Sequence, residues 1–319
     1  MHPFSIVFLL LLGLVTLLRL WLAQRQITHV NAYREHIPSA FKEKISLADH
    51  HKAADYTTTK TRFSRIHILF DAALTLAWTL GGGLAFMQVL WENYSLSPLI
   101  TGIGVIISVM LISALLDIPL SLYKTFIIEA RFGFNRTTLS VFILDLIKGA
   151  IITLILGIPL IAVILWLMQT AGQQWWLYAW LFWMSFNLFI LWAYPAFIAP
   201  LFNKFTPLDN SELKQRIHAL LERCGFKSDG IFVMDGSRRT GHGNAYFTGL
   251  GKNKRIVFYD TLLESLKTTE IEAVLAHELG HFKRKHIHKN ILLMAIISFL
   301  GLCILAWLKD SNGFYIARS

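Results

Sequence analysis

The chain has few charged residues for its length. Only 16% of its 319 residues are Asp, Glu, Lys or Arg, whereas an ordinary soluble domain carries about 25%. Its mean hydropathy is +0.51, and 55% of its residues are hydrophobic. Because a soluble fold of this length needs a polar surface, the composition argues against one soluble domain. It indicates several membrane spans joined to a polar portion.

Cysteine and acidic residues are also scarce. The two cysteines, Cys224 in a polar stretch and Cys303 in an apolar one, argue against a disulfide framework and against a cysteine-based zinc site. Acidic residues number 20 against 30 Lys and Arg, which gives a net charge of +10. The basic residues fall in loops between apolar runs, so they indicate membrane topology. We expect no nucleic-acid partner.

Six apolar stretches are long enough to cross a bilayer core, which needs about 20 residues. The first is interrupted by Arg19 and is followed by no small-residue cleavage site, so it is interpreted as an uncleaved span and not as a signal peptide. Asp117 and Asp145 lie near span ends and are predicted to be interfacial. The predicted spans cover residues 4–22, 66–90, 97–120, 147–169, 175–200 and 286–308.

The basic residues alternate between successive loops. Loop 23–65 has eight Lys and Arg, loop 121–146 has three and loop 201–285 has fourteen, while the two short loops between them have none. The positive-inside rule therefore predicts that the amino terminus is outside and that segment 201–285 is cytoplasmic. A tail of residues 309–319 then lies on the outer side.

The polar segment 201–285 has the pattern of a small α+β domain. Short apolar runs separated by glycine-containing turns indicate strands, and two of these runs form a predicted hairpin. The predicted elements are a helix over 211–223 capped by Asn210 or Ser211, strands at 231–235, 244–250 and 255–260, and a helix that starts at a Thr269–Glu272 capping box.

The sequence HELGH at 277–281 has the spacing of a helical zinc motif. Residues four apart share a helix face, so His277 and His281 can present two imidazole nitrogens to one ion. Glu278 is placed to act as a general base on a water molecule. Small neighbouring residues and the upstream hairpin favour a working site over a chance match. We predict one zinc ion per chain.

A catalytic zinc normally has three protein ligands. After His281 the only acidic residue is Asp310, which the predicted topology places across the membrane from the motif. The basic and histidine residues that follow the motif are interpreted as a membrane-edge cluster and not as ligands. This cluster consists of Lys283, Arg284, Lys285, His286 and His288.

The predicted strand at 244–250 has a possible use in substrate binding. At a sheet edge it can pair with an extended peptide, as proteases require; a purely structural strand is the alternative. Asn244 and Ala245 are predicted to lie nearest the metal. His242 is a candidate for stabilising a developing oxyanion, and a loop histidine without that role is the alternative.

These residues resemble a known family, the type I CAAX prenyl proteases, which are Ste-type integral-membrane zinc metallopeptidases. The resemblance implies a bundle of seven spans around an intramembrane chamber, His277 and His281 as zinc ligands, and Glu278 as the catalytic base. It also implies cleavage near the carboxyl terminus of a lipidated or hydrophobic substrate, which in eukaryotic members carries a prenylated Cys-a-a-X ending. The matching blocks are EARFGFNRTT at 129–138, APLFNKFTPL at 199–208, DGSRRTGHGNAYFTGLGKNKRIVFYDTLL at 235–263 and EIEAVLAHELGHFKRKH at 270–286.

The chain departs from this family at its end. Family members continue through a seventh span to a glutamate that completes the zinc site, so the third ligand is expected beyond residue 319. We therefore expect the chain to be a fragment, with a truncated gene product as the alternative. Such a chain is expected to bind zinc weakly.

The predicted fold class is a mainly α, multi-pass membrane helical bundle with a small α+β zincin-like cytoplasmic domain. The predicted division is an N-terminal membrane domain over 1–200, a metallopeptidase domain over 201–285, the sixth span over 286–308 and the tail over 309–319.

Two other functions stay open at this point. One is a zinc protease for quality control of membrane proteins, and the other is an inactive scaffold or transporter-like protein with a decayed or incomplete zinc site. The compact domain favours a bacterial inner membrane, with the endoplasmic reticulum membrane as the alternative. The predicted partners are a hydrophobic or prenylated peptide or protein substrate and membrane lipid.

Overall fold

The computed structural model describes residues 3–226, 228, 230–248 and 254–309. The described chain is mainly helical with one small sheet, as predicted. Of the predicted tail, only Lys309 falls among the described residues, and Asp310 lies outside them. The helices are α1 (Pro3–Ala32), α2 (Leu47–Trp78), α3 (Gly83–Glu92), α4 (Pro98–Tyr123), α5 (Leu139–Thr170), α6 (Trp175–Ala193), α7 (Ala199–Phe202), α8 (Ser211–Arg223), α9 (Asp260–Ser265), α10 (Thr268–Lys283) and α11 (His286–Lys309).

Among the described residues, five helical runs are long and apolar enough to cross a membrane. The count is six if the bent pair α2 and α3 forms one span, so each predicted span has its helix. The helices are longer than the apolar stretches, since α1 continues to Ala32 and α2 begins at Leu47 instead of residue 66. Hydropathy marks only the part of a helix that suits the bilayer, whereas backbone hydrogen bonding continues through polar residues.

The break between α2 and α3 coincides with three consecutive glycines at 81–83. The axes of the two helices differ by 47°, and Gly82 adopts a left-handed backbone with φ of 78°. A residue with a Cβ rarely adopts this conformation, so glycine is suited to the bend.

The described residues group into two compact units, with the boundary between Gly133 and Phe134. The first holds α1 to α4 together with Leu308 and Lys309, and the second runs from Phe134 to Trp307. This grouping follows contacts, whereas the predicted division at residue 200 follows polarity. The division into a membrane domain and a polar domain stays a prediction.

In the first unit, α3 packs against α4 through a tryptophan and a glycine. The indole Nε1 of Trp91 donates a hydrogen bond of 3.0 Å to the hydroxyl of Ser108, and its ring lies directly against Gly104. A small residue at such an interface lets two membrane helices approach closely. In the same unit, Asp117 lies 3.3 Å from the Nε2 of His67, which places this acid within a contact between span helices.

In the second unit, α6 packs against α11 through aromatic side chains. Trp175 and Ala179 are buried against Ala306, and the rings of Trp176 and Trp180 meet Phe299 edge to face. These contacts attach α11 to the aromatic helix α6.

The sheet has four strands in the order β1-β2-β4-β3. The strands are β1 (Phe205–Pro207), β2 (Ile231–Met234), β3 (Ala245–Thr248) and β4 (Arg255–Tyr259). Strands β3 and β4 form the predicted hairpin, with Ala245 opposite Phe258, while β2 and β4 run parallel. The sequence analysis missed β1, which has only three residues and includes Pro207, a residue typical of edge strands.

One core holds α8, α9 and α10 against a face of this sheet. The side chain of Asn210 caps α8 by accepting a hydrogen bond of 3.0 Å from the backbone N–H of Leu213, as predicted. The residues that form the core are Leu208, Leu213, Ile217, Leu221, Phe226, Ile231, Ala245, Ile256, Phe258, Leu262, Ile271, Leu275 and Leu279.

Replacing Gly104 with alanine is expected to destabilise the first unit. An added Cβ would overlap the Trp91 ring, and overpacking of this kind costs about 1–3 kcal/mol. This outweighs the gain of about 1 kcal/mol that alanine brings over glycine in a helix. The measurement is the Tm of the detergent-purified protein. Gly149→Ala in α5 is the control, because its Cβ would meet no atom within 4 Å; equal shifts in both variants would contradict the packing argument.

Candidate metal centre

The position of the motif depends on how α10 begins and which face it buries. The carboxylate of Glu270 accepts a hydrogen bond of 2.8 Å from the backbone N–H of Lys267, so the helix starts at this contact. The predicted capping pair of Thr269 and Glu272 is therefore wrong by two residues, since the helix is capped between Lys267 and Glu270. A helix starting there carries its motif in the final two turns.

One face of α10 is apolar and completely covered. Ile271, Leu275 and Leu279 recur every fourth residue and are 3%, 0% and 3% exposed. His277 lies two residues from Leu275 and from Leu279, which places it on the opposite face of the helix. Both His277 and His281 are exposed there. Core packing therefore orients the two imidazoles away from the domain interior.

The two imidazoles present the same nitrogen to each other. The Nε2 atoms of His277 and His281 are 3.2 Å apart. Two nitrogens that bind one zinc ion at 2.0–2.1 Å with a tetrahedral angle are separated by about 3.3 Å. The pair thus has the spacing that a zinc ion requires, and the residues present fit the predicted metal.

The predicted base follows the first histidine directly. Glu278 is half-buried, and among the described residues no hydrogen bond or ion pair engages its carboxylate. It lies on the side of the helix between the histidine face and the core face. This leaves a carboxylate available beside the imidazole pair, as proton transfer to or from a water would require.

The described residues contain no group of three His, Cys, Asp or Glu side chains arranged to hold a metal ion. His286 approaches the pair but contacts the Nδ1 of His281, at 2.8 Å, and not its Nε2. Because these two nitrogens point away from each other, the three imidazoles do not converge on one point. The third ligand, with its predicted position beyond residue 319, stays a prediction.

The predicted membrane-edge cluster lies where α10 gives way to α11. Lys283, Lys285 and His288 line a cleft of about 270 Å³ together with Cys224 and Leu279. Cys224 and Cys303 are free thiols. The cluster precedes a helix that is apolar enough to span a membrane, which agrees with its interpretation, although the contact of His286 with His281 was not foreseen.

The predicted substrate strand is an edge strand of the described sheet, because β3 pairs with β4 and stands last in the strand order. The carbonyl of Asn244 accepts from the N–H of Tyr259 at 2.9 Å. Bonding direction alternates along an antiparallel strand, so the backbone N–H and C=O of Ala245 point away from β4. That N–H donates to the side-chain oxygen of Asn244 instead, at 2.9 Å. The open edge of β3 therefore begins at Asn244 and Ala245, the two residues of this strand that were predicted to bind substrate.

The next residue on β3 adds no charge to this edge. Tyr246 is partly buried, and burial raises the pKa of its phenol to about 12, with smaller contributions from Tyr259 and Tyr194. The phenol therefore stays neutral at physiological pH.

His242 is held by a contact at its ring and a contact at its backbone carbonyl. Its imidazole stacks on Phe134, with centroids 4.0 Å apart and planes 17° from parallel. Its carbonyl accepts a hydrogen bond of 2.9 Å from the hydroxyl of Thr261. The ring is thus fixed in orientation and half-buried, while its predicted contact with an oxyanion stays a prediction.

The loop that carries His242 is anchored by Arg239, which the sequence analysis missed. Its Nε and Nη2 donate to the two carboxylate oxygens of Asp145 at 2.6 and 2.9 Å. Its remaining bonds reach the side chain of Asn203 and the carbonyl of Phe202. The hydrogen bond to Asp145 raises the pKa of Arg239 above its usual value, so the guanidinium stays charged.

The same loop is also bonded through its backbone. The carbonyl of Arg239 accepts from the N–H of Arg136 at 3.2 Å, and the N–H of Gly241 donates to the carbonyl of Phe134 at 2.8 Å. Asp145, predicted to be interfacial, is therefore one partner of a two-bond fork that ties α5 to this loop. In the sequence, Asp145 stood out as an acid next to the start of a predicted span.

Comparison with known families matches nearly the whole chain. Residues 26–204 match a model described as the N-terminal part of CAAX prenyl protease, with five membrane helices. Residues 207–315 match peptidase family M48. The second match contains the described imidazole pair and β2 to β4.

Individual relatives agree with these matches. The chain is 39% identical to a CAAX prenyl protease 1 homologue of Arabidopsis thaliana over 83% of its length, and 34% identical to CAAX prenyl protease 1 of Saccharomyces cerevisiae over 88%. It spans 64% of the length of each. It is 33% identical to a mouse homologue, of which it covers 72%.

A solved structure shares the fold. The crystal structure of S. mikatae Ste24p superimposes with a TM-score of 0.91 at 30% identity, and the match covers 100% of this chain and 75% of that one.

Arg239→Lys is expected to loosen the loop before β3. Lysine cannot form the two-bond fork with Asp145, so about 1–2 kcal/mol of stability is expected to be lost at this partly exposed site. The measurement is amide hydrogen exchange of residues 236–243, which should become faster. Arg238→Lys is the matched control, because Arg238 is exposed; faster exchange in both variants alike would contradict the role of the fork.

Proposed function

Because the chain belongs to the type I CAAX prenyl proteases of peptidase family M48, we propose that it acts as a membrane zinc endopeptidase. The observation that carries the proposal is the pair of Nε2 atoms 3.2 Å apart on the exposed face of α10. Glu278 adjoins this pair, and an edge strand belongs to the same core. The arrangement supplies ligands, a base and a strand that can hold a peptide extended.

His277 and His281 are the residues that would hold the zinc ion through their Nε2 atoms. When bound, zinc would lower the pKa of a water molecule and polarise a carbonyl group. Glu278 accepts a proton from the attacking water and passes it to the nitrogen of the leaving amine. His242, oriented by its stacking on Phe134, is the candidate donor to the oxygen that gains negative charge.

The substrate is proposed to bind along β3 as an added strand. The outward N–H and C=O of Ala245 are the backbone groups that the sheet leaves for a partner, and the same alternation makes Phe247 the next outward residue. A peptide bound this way lies in one plane with the sheet. Without substrate, the side-chain oxygen of Asn244 accepts the hydrogen bond of the Ala245 N–H. A substrate carbonyl must therefore replace this oxygen as the acceptor.

The substrate class follows from the family and from the membrane. The chain is a multi-pass integral membrane protein, and the relatives are named for CAAX prenyl protease activity. We therefore propose a hydrophobic or prenylated peptide cleaved near its carboxyl terminus. Preference for an unfolded membrane protein over a farnesylated peptide would instead favour the quality-control function.

The three relatives described above come from a plant, a yeast and a mouse. Their origin gives no support to the bacterial inner membrane that the compact domain favoured, so the host membrane is not part of the proposal. The cytoplasmic position of the zinc domain rests on the loop charges alone and stays a prediction.

Glu278→Gln is expected to abolish cleavage while leaving zinc in place. Glutamine keeps the size of the side chain but cannot accept the proton, and loss of a general base costs about 10²–10⁴ in rate. The measurement is cleavage of a farnesylated peptide by the detergent-purified protein, together with its zinc content. Glu272→Gln on the same helix is the control and should cleave normally. Normal cleavage by Glu278→Gln would show that another residue is the base.

Methylating single backbone nitrogens of the peptide substrate tests strand pairing. Each methyl group removes one N–H, and a lost hydrogen bond of about 0.5–1.5 kcal/mol lowers kcat/KM about two- to twelvefold. If the substrate pairs with β3, the loss should recur at every second residue. Equal effects at successive positions, or none at all, would show that β3 has only a structural role.

A further inference from the structure

The second histidine of the motif makes two different contacts through its two ring nitrogens. Its Nε2 faces His277 at 3.2 Å, and its Nδ1 lies 2.8 Å from the Nδ1 of His286. The rings of His281 and His286 have centroids 4.9 Å apart and planes 76° from parallel. This places a nitrogen of His286 near the edge of His281 that faces away from the imidazole pair.

The two contacts have different chemical meanings for a metal ligand. A neutral imidazole carries its proton on one nitrogen and a lone pair on the other. If the lone pair of Nε2 binds zinc, the proton of His281 is on Nδ1 and needs an acceptor. Metal-binding histidines almost always donate this second N–H to a carboxylate, a carbonyl or a water. Here the group within reach is the Nδ1 of His286.

We propose that His286 is a positioning residue that accepts the Nδ1–H of His281 and thereby sets its tautomer and its ring orientation. The inference rests on the proposed zinc site. It replaces the interpretation of His286 as one member of the basic membrane-edge cluster. His286 is also unlike the other members in burial, since it is half-buried while Lys283, Arg284, Lys285 and His288 are exposed.

The local backbone explains how the contact arises. In an unbroken helix a residue five places after His281 lies about 140° round the axis, which points it away from that side chain. Helix α10 ends at Lys283, and Lys285 has a left-handed backbone with φ of 55°. The chain turns there, and α11 starts at His286. The turn brings the first residue of a membrane-spanning helix against a metal ligand.

The contact gives α11 a direct effect on the proposed metal site. His286 belongs to α11, which is held against α6 by the packing of Ala306 with Trp175 and Ala179. The orientation of His281 therefore depends on two elements, its own helix and the start of the span. A site built on α10 alone would leave the ring free to rotate about its side-chain bonds.

The test compares three variants of the full-length protein in detergent by competition for zinc with a chelator. His286→Ala removes the acceptor, and zinc should bind 10- to 100-fold more weakly. His286→Asn places an amide oxygen near the former Nδ1 and should restore most of the affinity. His288→Ala removes a neighbouring histidine of the cluster and should stay within about twofold of wild type. The Tm of each zinc-free protein shows that the variants fold alike.

Each other outcome has a definite meaning. Unchanged zinc affinity in His286→Ala would overturn the positioning role while leaving the zinc site in place. Complete loss of zinc binding in His286→Ala, without rescue by asparagine, would make His286 a ligand itself and would also overturn the positioning role. A wild-type protein that binds no zinc would instead reject the proposed function on which the inference rests.

Discussion

The rotation of α10 about its own axis is the constraint on which the rest of the site depends. Ile271, Leu275 and Leu279 are buried against the sheet, and burial of each such side chain stabilises the fold by about 1.5–3 kcal/mol. Any other rotation would expose this stripe and bury two imidazoles. Because 3.6 residues make one turn, the same packing that covers the stripe turns His277 and His281 outward. The face proposed to bind metal is therefore a consequence of the apolar face.

A polar site in a membrane protein must also be joined to the membrane spans. The chain achieves this at two points within the second compact unit. The charged fork of Arg239 and Asp145 ties the loop before β3 to α5, and the turn at Lys285 connects α10 to α11. One point positions the strand proposed to bind substrate, and the other positions a proposed zinc ligand. The strand proposed to bind substrate is thus attached to α5, and the proposed zinc site is attached to α11.

Much of this arrangement could be predicted from the sequence because its signals are local. Apolar runs predicted every span, and the four-residue spacing of His277 and His281 predicted their shared face. The sequence did not decide whether β3 lies at the sheet edge, because the strand order depends on long-range pairing. The contact of His286 with His281 needed a left-handed turn at a lysine, where glycine is the usual signal. Arg239 and Asp145 are 94 residues apart in sequence, and no local pattern connects them.

The open edge of β3 raises a further question, because an unpaired strand edge invites association with other chains. The amide side chain of Asn244 answers part of it. By accepting the N–H of Ala245, it satisfies the first outward donor with a group from the chain itself. This bond spans adjacent residues and is easily exchanged for an intermolecular one of similar strength. Exchange costs little free energy, so an extended peptide can displace the asparagine oxygen. The edge is thereby protected at rest and remains available to the extended substrate proposed to bind there.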